Sequence, residues 1–222
     1  SLLFLLVLSL AIGKGRSDVL GVPFIIFLAP GLIAMQVIQQ AFSHSSSSFM
    51  IGKIQGNILD LLYAPLSASE VTISVSLASV TRSFIIAAVS IVIFYLIVGI
   101  EIKHFFTLVL FTFLSSFILG NVGIIAGLWA EKFDHMATVT NFVIVPLSFL
   151  SGTFYSIEKL PKFLQILSEM NPFFYMIDGF RYSFIGNSDG SIKIGIIYLI
   201  ILSFLSWLAA FILFKKGYKI KF

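Results

Sequence analysis

Long apolar runs limit what this chain can fold into. Val19–Phe42, Phe105–Trp129 and Met136–Tyr155 contain no Asp, Glu, Lys or Arg. Val71–Ile100 contains one, Arg82, and Ile192–Phe214 contains one near its start, Lys193. A helix of about 20 apolar residues crosses a hydrocarbon core about 30 Å thick and satisfies its own backbone there. Each run is therefore read as a membrane span. Composition agrees: 59% of the 222 residues are hydrophobic and 11% charged, with mean hydropathy +1.07. Soluble domains carry roughly a quarter charged residues. The apolar run Leu2–Ile12 is too short to cross by itself and no initiator Met precedes it. It reads as the end of a first span whose start lies upstream. A signal-peptide core is the alternative, but no small-residue cleavage site follows. The expectation is an all-α membrane protein with six spans in one domain, residues 1–222. Pro23 and Pro30 in the second span and Pro146 in the fifth predict kinks.

Catalytic chemistry is hard to place on these residues. Gly13-Lys14 and Gly52-Lys53 lack the following Ser or Thr, and the glycine five residues before, that a phosphate-binding loop needs. His44, His104 and His135 fall in separate loops of this reading, so no metal site is expected. The chain has no cysteine, which excludes a disulfide framework and thiolate ligands. No Asp or Glu stands at bilayer depth in the six spans, which argues against an ion-coupled transporter. A channel with a carbonyl or hydrophobic filter needs few charges and stays open as an alternative. Lys215, Lys216, Lys219 and Lys221 crowd the last eight residues. They read as a membrane-flanking cytoplasmic tail rather than a nucleic-acid patch.

Two segments between spans carry more pattern than loops need. Residues 43–69 begin with a serine-rich polar stretch. Ile54, Ile58, Leu61 and Leu62 then share one face of a short helix that Pro65 ends. Ser67 and Glu70 have the spacing of a capping box opening the third span. Residues 156–190 form the second segment. Leu160, Phe163, Leu164 and Leu167 recur at helical spacing opposite Lys159, Lys162, Gln165 and Glu169, as in a helix lying in a membrane interface. Asn171-Pro172 reads as a helix N-cap with proline at the first position. Asp178 and Arg181, one turn apart, are expected to neutralise each other at the bilayer edge.

Leu160, Pro161, Asn171, Pro172, Tyr175, Asp178 and Arg181 resemble the signature near the C-terminus of ABC-2 type transporter permeases. The resemblance extends in segment order over nearly the whole chain. It implies a six-helix permease with a cytoplasmic coupling helix and short interfacial or re-entrant helices before the last span. Gln55, Ile58, Asp60, Leu61, Leu62, Pro65 and Leu66 would then dock on an ATPase subunit. Two such subunits, holding ATP and Mg, would serve a homodimer of this chain, which itself binds no cofactor and is not an enzyme. The implied setting is the bacterial cytoplasmic membrane and the implied task is export. Short loops suit the drug- and lipid-exporting branch, with polysaccharide or glycolipid export as the rival and a non-transporting scaffold as the alternative of another class. Phe24, Phe27, Phe142 and Phe149 on the kinked spans, with Arg82, are the candidate path residues. Snorkelling to headgroups within a turn or two of the cytoplasmic edge is the simpler role for Arg82. Charge counting leaves orientation open, because seven Lys and Arg fall on each side.

Overall fold

The computed structural model describes residues 18–219. The expected first span, Leu2–Ile12, lies outside them, as does Lys221. Among the described residues, five helical stretches are long and apolar enough to cross a membrane. They are α1 (Phe24–Gln55), α3 (Ala68–Val98), α4 (Phe105–Trp129), the broken stretch Phe133–Leu150, and the last helix, Ile192–Lys215.

α1 departs most from expectation. Pro23 stands just before it rather than inside it, and only Pro30 is internal. The helix also continues past Phe42, through the serines, to Gln55. The hydroxyls are the reason. Ser46 Oγ donates to the Phe42 carbonyl at 2.8 Å and Ser48 Oγ to that of His44 at 2.7 Å, so the polar run bonds back to its own helix. The buried flank of the run meets a strip of small residues on α4. A methyl group built at Gly123 would lie 2.6 Å from the Phe42 carbonyl oxygen, and one at Gly127 would lie 2.8 Å from that of Ser46. Only glycine permits that approach.

Gly56, at φ 78°, ends α1, and the short helix α2 (Ile58–Tyr63) follows. The expected loop 43–69 thus shrinks to the residues around α2. Ser67 and Glu70 form the reciprocal capping box on α3, satisfying two otherwise orphan donors. Gly99, at φ 73°, closes α3.

The fifth span is broken as Pro146 predicts, but it is shorter than expected. α5 (Phe133–Val139) passes through a wide π-turn (Thr140–Ile144) into α6 (Val145–Leu150). Pro146 has no N–H for the carbonyl four residues back and its ring crowds it, so the turn ahead of the proline opens. The chain leaves the helix at Ser151 instead of Tyr155. A single 3-10 turn, Ile157–Lys159, then leads to α7 (Lys162–Met170) and α8 (Pro172–Ile185), with α9 (Ile192–Lys215) last.

α1 and α4 run side by side in the same direction as the central pair, with α3, α8 and α9 packed around them. The helices define two ends. At one, α2, Lys53, Glu131 and Lys219 gather; at the other, α7, α8, Lys103 and the turns before α1's start and after α6's close do. Phe49, Ile58, Val71, Ile124, Leu128 and Phe214 form an apolar layer behind the first end.

Candidate functional site

The α2 end is the first candidate. Lys53, in the last turn of α1, is only 5% exposed. Its Nζ donates to the carbonyls of Gly127 (3.1 Å), Leu128 (2.7 Å) and Ala130 (2.7 Å) at the C-terminal end of α4. Those carbonyls have no intrahelical partner, and a cation there also meets the negative end of the helix dipole. One side chain thus joins the ends of the two central helices. Of the residues expected to dock on a partner, Ile58 turns inward and is 5% exposed. It anchors α2 in the apolar layer rather than presenting a docking face. Gln55, Asp60, Pro65 and Leu66 are exposed, with Ile51, Ile54 and Tyr63, the last at 86%. The side chains of Leu61 and Leu62 lie outside the described residues; their backbone belongs to α2.

The second candidate is the segment ahead of α9. Leu160 is half-buried and Pro161 exposed at the entry to α7. The exposed side of α7 is Phe163, Ile166, Leu167 and Met170, while Leu164 faces partly inward. Asn171 caps α8 by accepting the Phe173 N–H at 3.1 Å, and its amide donates to Leu147 O (3.0 Å) and Ser151 Oγ (2.8 Å). That cap therefore also ties α8 to the end of α6. Pro172 opens α8, and Tyr175 packs on Tyr198 and over Gly195.

Asp178 and Arg181, expected to neutralise each other at the bilayer edge, form no direct ion pair. Both are almost fully buried, at 2% and 1% exposed, and they have separate partners. Asp178 accepts the backbone N–H groups of Asp189 (3.0 Å) and Gly190 (2.9 Å), closing the turn before α9. Arg181 Nη2 donates to Gly152 O (2.7 Å) and Thr153 O (3.3 Å). Its Nη1 lies 3.9 Å from Asp189 Oδ2, its ion-pair partner, and its guanidinium stacks 3.8 Å from the Phe27 ring centroid. Ser156 Oγ donates to the other Asp189 oxygen. A methyl at Gly31 would lie 2.9 Å from Arg181 Nη2, so the close pass of α1 is required too. A buried charge is tolerable only when paired and hydrogen-bonded. Here α1, the α6 exit, α8 and the 186–190 turn all supply that pairing.

The path residues divide. Phe24 and Phe27 sit in the core, so they do not line an open path. Phe142 and Phe149 are exposed. Phe149 and Phe154 bound a cavity of about 370 Å³ whose other wall is Leu32, Met35, Gln36, Gln39 and Gln40 of α1. Arg82 is exposed, and its Nη1 lies 3.3 Å from His44 Nδ1. Sequence reasoning missed Lys53 and Asp189. Neither stands in a pattern, because each finds its partners far along the chain.

The model of the ABC-2 type transporter family matches residues 1–185. The chain is also 32% identical over 217 residues to the inner membrane transport permease YadH of Escherichia coli (strain K12), spanning 97% of this chain and 84% of that one. YadH of Shigella flexneri matches with the same identity and coverage. Together with five apolar helical stretches, these similarities make the chain a multi-pass inner-membrane protein. It belongs to the ABC-2 type transporter family, as the membrane permease of an ABC transporter.

Proposed function

We propose that this permease is the transmembrane half of an ATP-driven exporter moving an amphipathic, drug-like or lipid-like molecule outward. Two copies pair, and each seats α2 on a separate ATPase subunit that holds ATP and Mg. What carries the reading is the build of the α2 end. A short helix with exposed apolar neighbours, Ile51, Ile54, Tyr63 and Leu66, is anchored by Ile58 and roofed by the Lys53 bridge. Exposed apolar residues beyond a membrane span suit a partner's groove. A push on α2 would pass through Gly56 and Lys53 into α1 and α4 together, because the two helices are locked at the Gly123 and Gly127 contacts with Phe42, Ser46 and Phe49.

The test is copurification in mild detergent of full-length permease with the ATPase subunit. Tyr63→Asp, Leu66→Asp and Leu61→Asp are expected to release the ATPase while the permease stays folded and paired. Retention of the ATPase by all three variants would overturn the assignment of α2 as the coupling helix. Failure of any ATPase to copurify with the wild type would overturn the exporter reading itself.

A further inference from the structure

Three glutamines share one face of α1 inside a run, Val19–Phe42, that carries no Asp, Glu, Lys or Arg. Leu32, Met35, Gln36, Gln39 and Gln40 recur at spacings of three and four, so they line one side of the helix. They stand between Gly31, where Arg181 passes, and Phe42, which meets Gly123 of α4. All three glutamines are half-buried. Among the described residues neither the Gln39 nor the Gln40 carboxamide finds a hydrogen-bond partner. An amide in so apolar a stretch costs free energy until something pairs with it.

The glutamines line the cavity of about 370 Å³ whose opposite wall is Phe149 and Phe154, two rings with centroids 5.2 Å apart. Sites for small molecules run to about 300–1,000 Å³ and combine apolar walls with a few placed polar groups. Gln36 also borders a second hollow, of about 220 Å³, on the α3 side. There Ile85, Ile86, Val89, Ile93 and Phe94 make the lining chiefly apolar. A cavity with a polar floor and an apolar groove thus adjoin at one side chain.

The chemistry of the floor selects the head. A carboxamide offers two N–H donors and a carbonyl acceptor, and a hydroxyl likewise donates and accepts. A phosphate, carboxylate or ammonium head uses one half of each amide, whereas a hydroxylated head uses both. We propose that Gln36, Gln39 and Gln40 are the floor of a site for the uncharged, hydroxyl-bearing head of an amphiphile whose tail lies in the Ile85–Ile93 groove. Phe149 and Phe154 cover the apolar faces of that head. The inference rests on the exporter reading and narrows its lipid-like substrate to one with a glycosyl or polyol head.

Binding is read without the motor, so its failure is distinct from a failure of ATPase docking. Full-length permease in phosphatidylcholine nanodiscs is titrated with a fluorescent alkyl glucoside, its fully O-methylated ether and the alkyl phosphate of the same chain. Each is corrected for partition into empty discs. The glucoside is expected to bind saturably and roughly tenfold or more tightly than the other two, as two or more ordinary hydrogen bonds provide. Gln39→Leu with Gln40→Leu should erase that preference, and Gln40→Asn, which keeps the carboxamide, should keep part of it. Val89→Trp, which fills the groove, should weaken glucoside and ether together. Lys193→Gln, at an exposed position at the start of α9, should leave all three unchanged. Helical circular dichroism and thermal melts confirm that each variant is folded. The site is overturned by equal binding of glucoside and ether, by a preference that survives the double glutamine change, or by no saturable binding to the folded wild type. Val89→Trp without effect overturns the placement of the tail. Efficient cross-linking of Gln39→Cys between copies, together with no glucoside binding, overturns the site and makes the cavity a seam. Repeating the titration with a glucosyl diacylglycerol in the disc separates the sources. Displacement of the probe makes the occupant a membrane glycolipid, and undiminished binding makes it a diffusing amphiphile; both support the site.

Discussion

Arg181 shows how much one buried charge can organise. Its guanidinium gathers the Gly152 and Thr153 carbonyls, the Phe27 ring and the Asp189 carboxylate from three separated stretches of chain. Removing one partner of such a pair leaves the other charge buried and uncompensated, which costs about 3–5 kcal/mol. Asp189→Asn is therefore expected to lower the thermal transition of the detergent-solubilised protein sharply. Asp178→Asn keeps one carbonyl acceptor and loses only part of its clamp on two N–H groups, so about 1–3 kcal/mol is expected. Replacing Arg181 by Met together with Asp189→Asn should recover part of the loss, because no lone charge remains. If Asp189→Asn melts like the wild type, the ion pair is not what holds the turn before α9. Asp178 and Arg181 were both legible in the sequence as special residues. Their partners were not, since helical spacing speaks for neighbours on one helix and these side chains look across to other elements.

Among elements, the contact of α1 with α4 matters most for coupling. Gly123 and Gly127 let the two backbones meet at the level of Phe42 and Ser46. Gly123→Ala places a methyl 2.6 Å from a main-chain oxygen that cannot swing away. About 1–3 kcal/mol of destabilisation is expected, as for other overpacked contacts. Gly52→Ala, in the same helix pair, meets nothing nearer than 3.9 Å and should be neutral or stabilising by up to about 1 kcal/mol through helix propensity. Thermal melts of the two variants side by side check this. Equal effects would mean that the close approach is not strained. Gly123 and Gly127 stand four apart in the sequence, but nothing there names the partner they meet. The serines that receive them read as a polar loop, because local composition cannot report hydroxyls that bond back into their own helix.

Across the whole molecule, the tail after α9 returns to the α2 end. Lys219 Nζ lies 2.7 Å from Glu131 Oε1 in an exposed pair. The hydrogen bond from Lys219 holds the Glu131 carboxyl below its ordinary value of 4.5, and the same bond raises the Lys219 ammonium above its ordinary 10.5. A depressed carboxyl adds its stabilisation above 4.5 and loses it as pH falls through the lowered value. A raised ammonium adds its own below 10.5 and loses it as pH rises through the raised value. The tail is thus pinned between those limits. A spin label at Tyr218→Cys should become more mobile on acidification below 4.5 and in high salt, which screens an exposed pair. Unchanged mobility at low pH would show that the pair does not hold the tail. What the sequence determined by itself was the membrane-spanning class, the helix starts at Ser67 and Asn171, and the break at Pro146. Apolar run length, capping chemistry and a missing N–H act locally. Only the tertiary structure decided that α1 runs through its serines, that Lys53 bridges to α4, and that Asp189 pairs with Arg181. Each of these depends on what distant segments bring within reach of a charge or a glycine.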